Sequence, residues 1–143
     1  RRIMMSYQSI SSLIRNKPVI SVNPDNSIRE AAALMAMHRL GAIPVIEEGR
    51  LVGIFTERNL VSRVINARLD HQISVAHVMT RNPYTISPDR SLVEALDLMI
   101  EQGLNYLLVA TQEKVVGILS LREMLKASRG LWNPQFAMGV CKA

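Results

Sequence analysis

Aromatic side chains make up only 4% of the 143 residues, so the core cannot be built on rings. It must come from Leu, Ile, Val, Ala and the eight Met, the palette of a small α/β domain. A single cysteine, Cys141, excludes an internal disulfide framework and any multi-cysteine zinc site, and it points to a reducing cytoplasm. Long apolar runs are missing: the longest, Ala31 to Met37, has seven residues, against the roughly 20 that a membrane-spanning helix needs. No signal-peptide pattern precedes it. Neither a P-loop nor a dinucleotide-type glycine pattern occurs, and no hydroxyl, histidine and carboxylate are grouped as in a hydrolase, which argues against an enzyme. His71 and His77 lack a partner at ligand spacing, which weighs against a metal site. The chain opens on Arg1-Arg2 in place of Met, as a fragment would, with Met4 or Met5 as candidate natural starts.

What is present begins with charge. Seventeen Lys and Arg oppose twelve Asp and Glu, a formal +5. Residues 1–68 hold ten basic and five acidic groups, and residues 69–143 seven of each. The surplus of the first half favours an anionic partner: a nucleotide, a nucleic acid or an acidic protein. Arg58, Arg63 and Arg68 could line a basic stripe, but the near absence of interleaved aromatics disfavours a nucleic-acid face.

The chain also repeats itself. Shifted by 64 residues, Pro24 to Ser62 aligns without a gap on Pro88 to Lys126, with thirteen of 39 pairs identical, among them Ser27/Ser91, Glu30/Glu94, Gly53/Gly117 and Arg58/Arg122. Upstream the offset becomes 65 and pairs Ile14 with Met79 and Pro18 with Pro83. One such copy would bury only a marginal core, so the two are expected to pack together about a pseudo-twofold axis.

Each copy reads strand, helix, strand, strand, helix. Val19–Val22 and Tyr84–Ile86 are short apolar runs after a proline. Ser27-Ile-Arg-Glu30 and Ser91-Leu-Val-Glu94 are capping boxes that start two helices. Ile28, Ala31, Ala32 and Met35, like Leu92, Ala95, Leu96 and Met99, recur at helical spacing, and Met37 is expected in the core with them. His38 and Arg39 sit at the negative end of the first helix, where a cation is favoured, with phosphate binding as the alternative role. A hairpin follows in each copy, Ile43–Ile46 with Leu51–Phe55 and Tyr106–Val109 with Val115–Leu119. Thr56 and Ser120 then cap a second helix, with apolar positions Leu60, Val61 and Val64 in one copy and Met124 and Leu125 in the other. The units are expected at residues 10–68 and 74–128, with 129–143 as a tail that repeats nothing.

Gly41-Ala-Ile-Pro-Val-Ile, Leu51-Val-Gly-Ile-Phe-Thr-Glu-Arg-Asn-Leu60 and the run from Ser74 to Ala95 closely resemble the cystathionine β-synthase (CBS) domain, over about residues 10–126 and in both copies. The resemblance implies an α/β fold, a tandem CBS-domain pair or Bateman module, with two βαββα repeats and two clefts between them. It also implies regulatory binding of AMP, ADP, ATP or S-adenosylmethionine, no catalysis, pairing into homodimers and a regulated protein partner.

The family's ligand motif closes on hydroxyl-x-x-Asp. A hydroxyl at a helix start lies near unpaired N–H groups that suit phosphate, and a carboxylate one turn on accepts from both ribose hydroxyls. Here the acid position holds Asn59 in Thr56-Glu-Arg-Asn59 and Glu123 in Ser120-Leu-Arg-Glu123, and the motif's proline is Pro44 in the first copy but Leu108 in the second. Loss of charge at Asn59 weakens ribose binding by about 1–3 kcal/mol, and Glu123 can also complete a capping box with Ser120. Carried over from the resemblance, one cleft combines Thr85, Ile86, Tyr106 and Leu107 with Thr56, Arg58 and Asn59. Thr85 would meet an adenine edge, Tyr106 would pack on it or fill the pocket, and Thr56 and Arg58 would hold phosphate. The other combines Ile20, Ser21, Ala42, Ile43 and Pro44 with Ser120, Arg122 and Glu123. The first is favoured, and a structural homodimerisation module with degenerate, ligand-free clefts is the alternative.

Overall fold

In the computed structural model, which describes residues 9–15 and 17–127, the elements run α1 (Ser11–Ile14), α2 (Ile28–His38), β1 (Ala42–Glu47), β2 (Arg50–Thr56) and α3 (Glu57–Asn59). A π-helical stretch over Leu60–Ile65 continues α3, and a single 3-10 turn follows at Val75–His77. Then come β3 (Thr80–Arg81), β4 (Thr85–Ile86), α4 (Leu92–Gln102), β5 (Tyr106–Thr111), β6 (Lys114–Ser120) and α5 (Leu121–Ala127). The tail expected at 129–143, Cys141 and the candidate starts Met4 and Met5 lie outside the described residues.

Local chemistry sets the same boundaries twice. Ser27 Oγ accepts from Glu30 N at 3.0 Å and the Glu30 carboxylate accepts from Ser27 N at 2.8 Å, a full capping box. That backbone donation holds the Glu30 carboxyl below its ordinary range. At the start of α4 only half of the expected box forms: Ser91 Oγ accepts from Glu94 N at 3.1 Å, while the Glu94 carboxylate pairs with Arg90 Nη1 at 3.6 Å. Both hairpins turn on two residues, Glu48-Gly49 and Gln112-Glu113, all with positive φ, the backbone of a type I′ turn. Both carry a bulge at the matching place, Val45/Ile46 and Val109/Ala110.

β1, β2 and β3 form one antiparallel sheet, while β5 pairs antiparallel with β6 and parallel with β4 in the other. The run 19–22, expected as a strand, makes only one parallel bridge, with Val22 N donating to Pro44 O and Ile46 N to Val22 O. A turn in which Asp25 N donates to Asn23 Oδ1 leads the chain into α2 before further pairs form. The two cores match position for position: Ile28, Ala31, Met35, Ile43, Val45 and Phe55 in one, Leu92, Ala95, Met99, Leu107, Val109 and Leu119 in the other. Between the sheets, Ala42, Ile54, Leu108 and Val115 pack together and join the repeats.

The segment leading into each repeat docks on the opposite one. Val75, Val78 and Met79 fill the first core and Ile10 the second. Val75 N donates to Asn26 O and Ala76 N to Pro24 O, and their counterparts Ile10 N and Ser11 N donate to Arg90 O and Pro88 O. Gly53 and Gly117 admit these segments, since a Cβ there would stand 2.5 Å from Met79 Sδ or 2.7 Å from Ile14 Cγ2. Residues 75–81, which the repeat alignment attaches to the second unit, therefore pack on the first.

Three apolar expectations fail. Met37 is 73% exposed, because two residues beyond buried Met35 is about 200° round the helix. Val61 is 63% exposed: the π-helical turn spaces the buried positions Asn59 and Val64 five apart and rotates Val61 outward. Leu125, 56% exposed, is turned about 100° from buried Met124.

Candidate functional site

A cleft of about 980 Å³ lies between the repeats, toward the upper end of the range for small-molecule sites, about 300–1,000 Å³. Thr56, Arg58 and Asn59 border it from one repeat and Tyr106, Ser120 and Arg122 from the other. The equivalent pairs Thr56/Ser120 and Arg58/Arg122 thus meet in one cleft. α3 starts there because Thr56 Oγ1 accepts from Asn59 N at 3.1 Å while Asn59 Oδ1 accepts from Thr56 N at 3.0 Å. The amide Nδ2 of Asn59 donates to Thr80 Oγ1 at 3.2 Å. Asn59 is therefore 5% exposed with both ends of its amide bonded, and an aspartate would lack the donor for the last of these bonds.

Arg58, Arg63, Arg81 and Arg122 border this cleft with one carboxylate, Glu57. Arg63 Nη1 donates to the carbonyls of Val78 and Met79, and Arg81 Nη2 to that of Ala76, so two of the four guanidiniums pin the crossing segment. The guanidiniums of Arg58 and Arg122 have no hydrogen-bond or ion-pair partner among the described residues. Tyr106 stands where the first repeat has Ala42, and its hydroxyl lies against Gly41 beside Glu57: a Cβ at Gly41 would overlap both. Burial, and then the Glu57 charge, push the Tyr106 phenol up from its ordinary pKa.

Two smaller hollows accompany this cleft, the larger of them sharing Glu57, Tyr106, Ser120 and Arg122 with it. A hollow of about 680 Å³ adjoins Ala42, Ser120, Arg122 and Glu123, and one of about 330 Å³ adjoins Ile20, Ala42, Pro44 and Glu123. Glu123 is already engaged: its carboxylate accepts from Lys17 Nζ at 2.8 Å and from Ser120 Oγ at 3.2 Å, and its N–H donates to Ser120 Oγ at 3.0 Å.

Five of the residues assigned to clefts by resemblance border none of these spaces. Leu107 and Ile43 are fully buried in the two cores, because strand side chains alternate and their neighbours Tyr106 and Ala42 take the interface face. Ile86 packs on the second core, while Thr85 and Ser21 are exposed away from the clefts. Tyr84, Thr80 and Arg81 border the large cleft instead. The correspondence of Ile14 with Met79 was the available signal for Thr80 and Arg81, since it marks a second pair of equivalent segments that must pack somewhere.

The family model of the CBS domain matches residues 10–66 and 75–130. The CBS domain-containing protein YhcV of Bacillus subtilis is 37% identical over 106 residues, 74% of this chain and 76% of that protein. Among solved structures, the CBS domain NE2398 has a TM-score of 0.79 at 27% identity, covering 85% of this chain and 97% of that one. The CBS domain pair of protein MJ0100, in complex with 5′-methylthioadenosine and S-adenosyl-L-methionine, has 0.77 at 25% identity, covering 88% and 99%. The chain belongs to the CBS-domain family and carries the domain twice, in tandem. No helix among the described residues is long and apolar enough to cross a membrane.

Proposed function

We propose that the large cleft is a regulatory site for an adenine nucleotide or related adenosyl ligand, that is AMP, ADP, ATP or S-adenosylmethionine. Its occupancy would shift the packing of the repeats and pass that change to a protein partner in the cytoplasm, with no catalytic step. The observation that carries this reading is the meeting, in one cleft, of Arg58 and Arg122, whose guanidiniums have no partner among the described residues, with Thr56 and Ser120, one set from each repeat. A ligand gripped from both sides favours the arrangement that brings those groups together, which is the requirement for a sensor. Thr56 Oγ1 accepts from Asn59 N, leaving its own O–H to donate to a phosphate, and the Tyr106 ring offers a surface for a base. The adenosyl compounds bound by the MJ0100 pair support the ligand class. The exposed apolar side chains Met37, Val61, Ile65 and Ile100 support pairing of two copies through their helices.

The test is thermal unfolding of the purified chain with each ligand at fixed salt. A ligand at one hundred times its Kd adds about 2.7 kcal/mol of stability, and Thr56→Ala should abolish that gain. A flat response to every ligand would favour the second reading, a structural homodimerisation module. The bonded amide of Asn59 and the engaged carboxylate of Glu123 are the features on its side.

A further inference from the structure

The cation excess of the large cleft is more than a nucleoside uses. Resting on the adenosyl reading, we infer that this cleft selects nucleoside di- and triphosphates over monophosphates and over the cationic S-adenosylmethionine, with Arg58 and Arg122 clamping the outer phosphates from the two repeats. Of the four arginines bordering the cleft, Arg63 and Arg81 are tied to backbone carbonyls, whereas the guanidiniums of Arg58 and Arg122 are exposed and have no partner among the described residues. One guanidinium suits one phosphate; two, brought from opposite repeats, suit a chain of phosphates lying between them.

The sugar end points the same way. With the Asn59 amide bonded to Thr56 N and Thr80 Oγ1, no carboxylate stands at the motif position to accept from both ribose hydroxyls. The binding free energy must then come more from the phosphate end. Glu57, the one carboxylate on the cleft, lies beside the Tyr106 hydroxyl and forms no ion pair with Arg58 or Arg122 among the described residues. A ligand with net positive charge meets repulsion there.

Isothermal titration calorimetry of the intact chain at fixed ionic strength, with AMP, ADP, ATP, S-adenosylmethionine and inorganic tripolyphosphate, tests this. Each added phosphate should tighten binding about tenfold, the value of one charge-assisted hydrogen-bonded contact, and S-adenosylmethionine should bind weakest. The double variant Arg58→Gln/Arg122→Gln should collapse the ATP-to-AMP affinity ratio toward one. Both side chains are exposed and without a partner among the described residues, and an unchanged melting temperature without ligand would verify that the variant folds. AMP binding within about twofold of ATP, or S-adenosylmethionine binding more tightly than ATP, overturns the polyphosphate inference while leaving an adenosyl site. Tripolyphosphate binding as tightly as ATP overturns the adenosyl reading and leaves the arginine clamp. No heat with any of the five overturns both.

Discussion

Truncating Ile10 to alanine probes the crossing of the leading segments. Ile10 is fully buried against Leu92, Ala95, Met99 and Leu119, in a core whose other members begin some 80 residues later. Two backbone bonds, from Ile10 N to Arg90 O and from Ser11 N to Pro88 O, hold it there. Ile→Ala at a well-packed site costs about 2–5 kcal/mol, depending on how far the site can collapse. Because α1 is a short segment that can settle inward, the expected cost is in the lower half of that range, about 2–3 kcal/mol. Its counterpart Val75, also fully buried, loses two methyl groups in Val75→Ala. At about 0.8 kcal/mol each plus a cavity term, that is again about 2–3 kcal/mol. Urea unfolding followed by far-UV circular dichroism reads both: the midpoint should fall while the slope, which follows the surface exposed, stays constant. A loss under about 0.5 kcal/mol for Ile10→Ala, alongside a full loss for Val75→Ala, would refute docking of the first segment and with it the symmetry of the crossing.

Glu113 occupies a turn position with φ 34, where the first repeat has Gly49 at φ 80; relief of its left-handed backbone makes Glu113→Gly stabilising by about 1 kcal/mol in the same assay. The exposed Arg50–Glu113 pair that is lost adds little against this. Asn59→Ala removes the acceptor for Thr56 N and the donor to Thr80 and should destabilise by about 2 kcal/mol. Asn59→Asp keeps the acceptor and, by restoring a ribose-binding carboxylate, should tighten adenosine-containing ligands by about tenfold in calorimetry. The Tyr106 phenol, raised by burial and Glu57, keeps its proton in the fold when the unfolded chain has lost it. Its effect on stability is therefore nil below the ordinary tyrosine pKa of about 10 and turns unfavourable as pH rises through and beyond it. A near-UV absorbance titration should show this late-ionising phenol disappear in Tyr106→Phe and move down in Glu57→Gln.

Much of the architecture was legible without coordinates, because it rests on short-range chemistry written twice. Ser27 with Glu30 and Ser91 with Glu94 start helices by capping their own first turns; the two hairpins turn where polar residues separate apolar runs; and core positions repeat at one offset because equivalent copies bury equivalent faces. The hydroxyl-x-x-acid positions were visible for the same reason, together with their departures at Asn59 and Glu123. Contacts between segments far apart in the chain were decided only by the tertiary structure. The correspondence of Ile14 with Met79 says that two segments are equivalent, but not that each packs on the other repeat, since that depends on which sheet face Gly53 and Gly117 leave open. Likewise, the pair Arg58 and Arg122 follows from the repeat, whereas their arrival at one cleft follows from how the two sheets face each other through Ala42, Ile54, Leu108 and Val115. Local propensity carries no information about that packing.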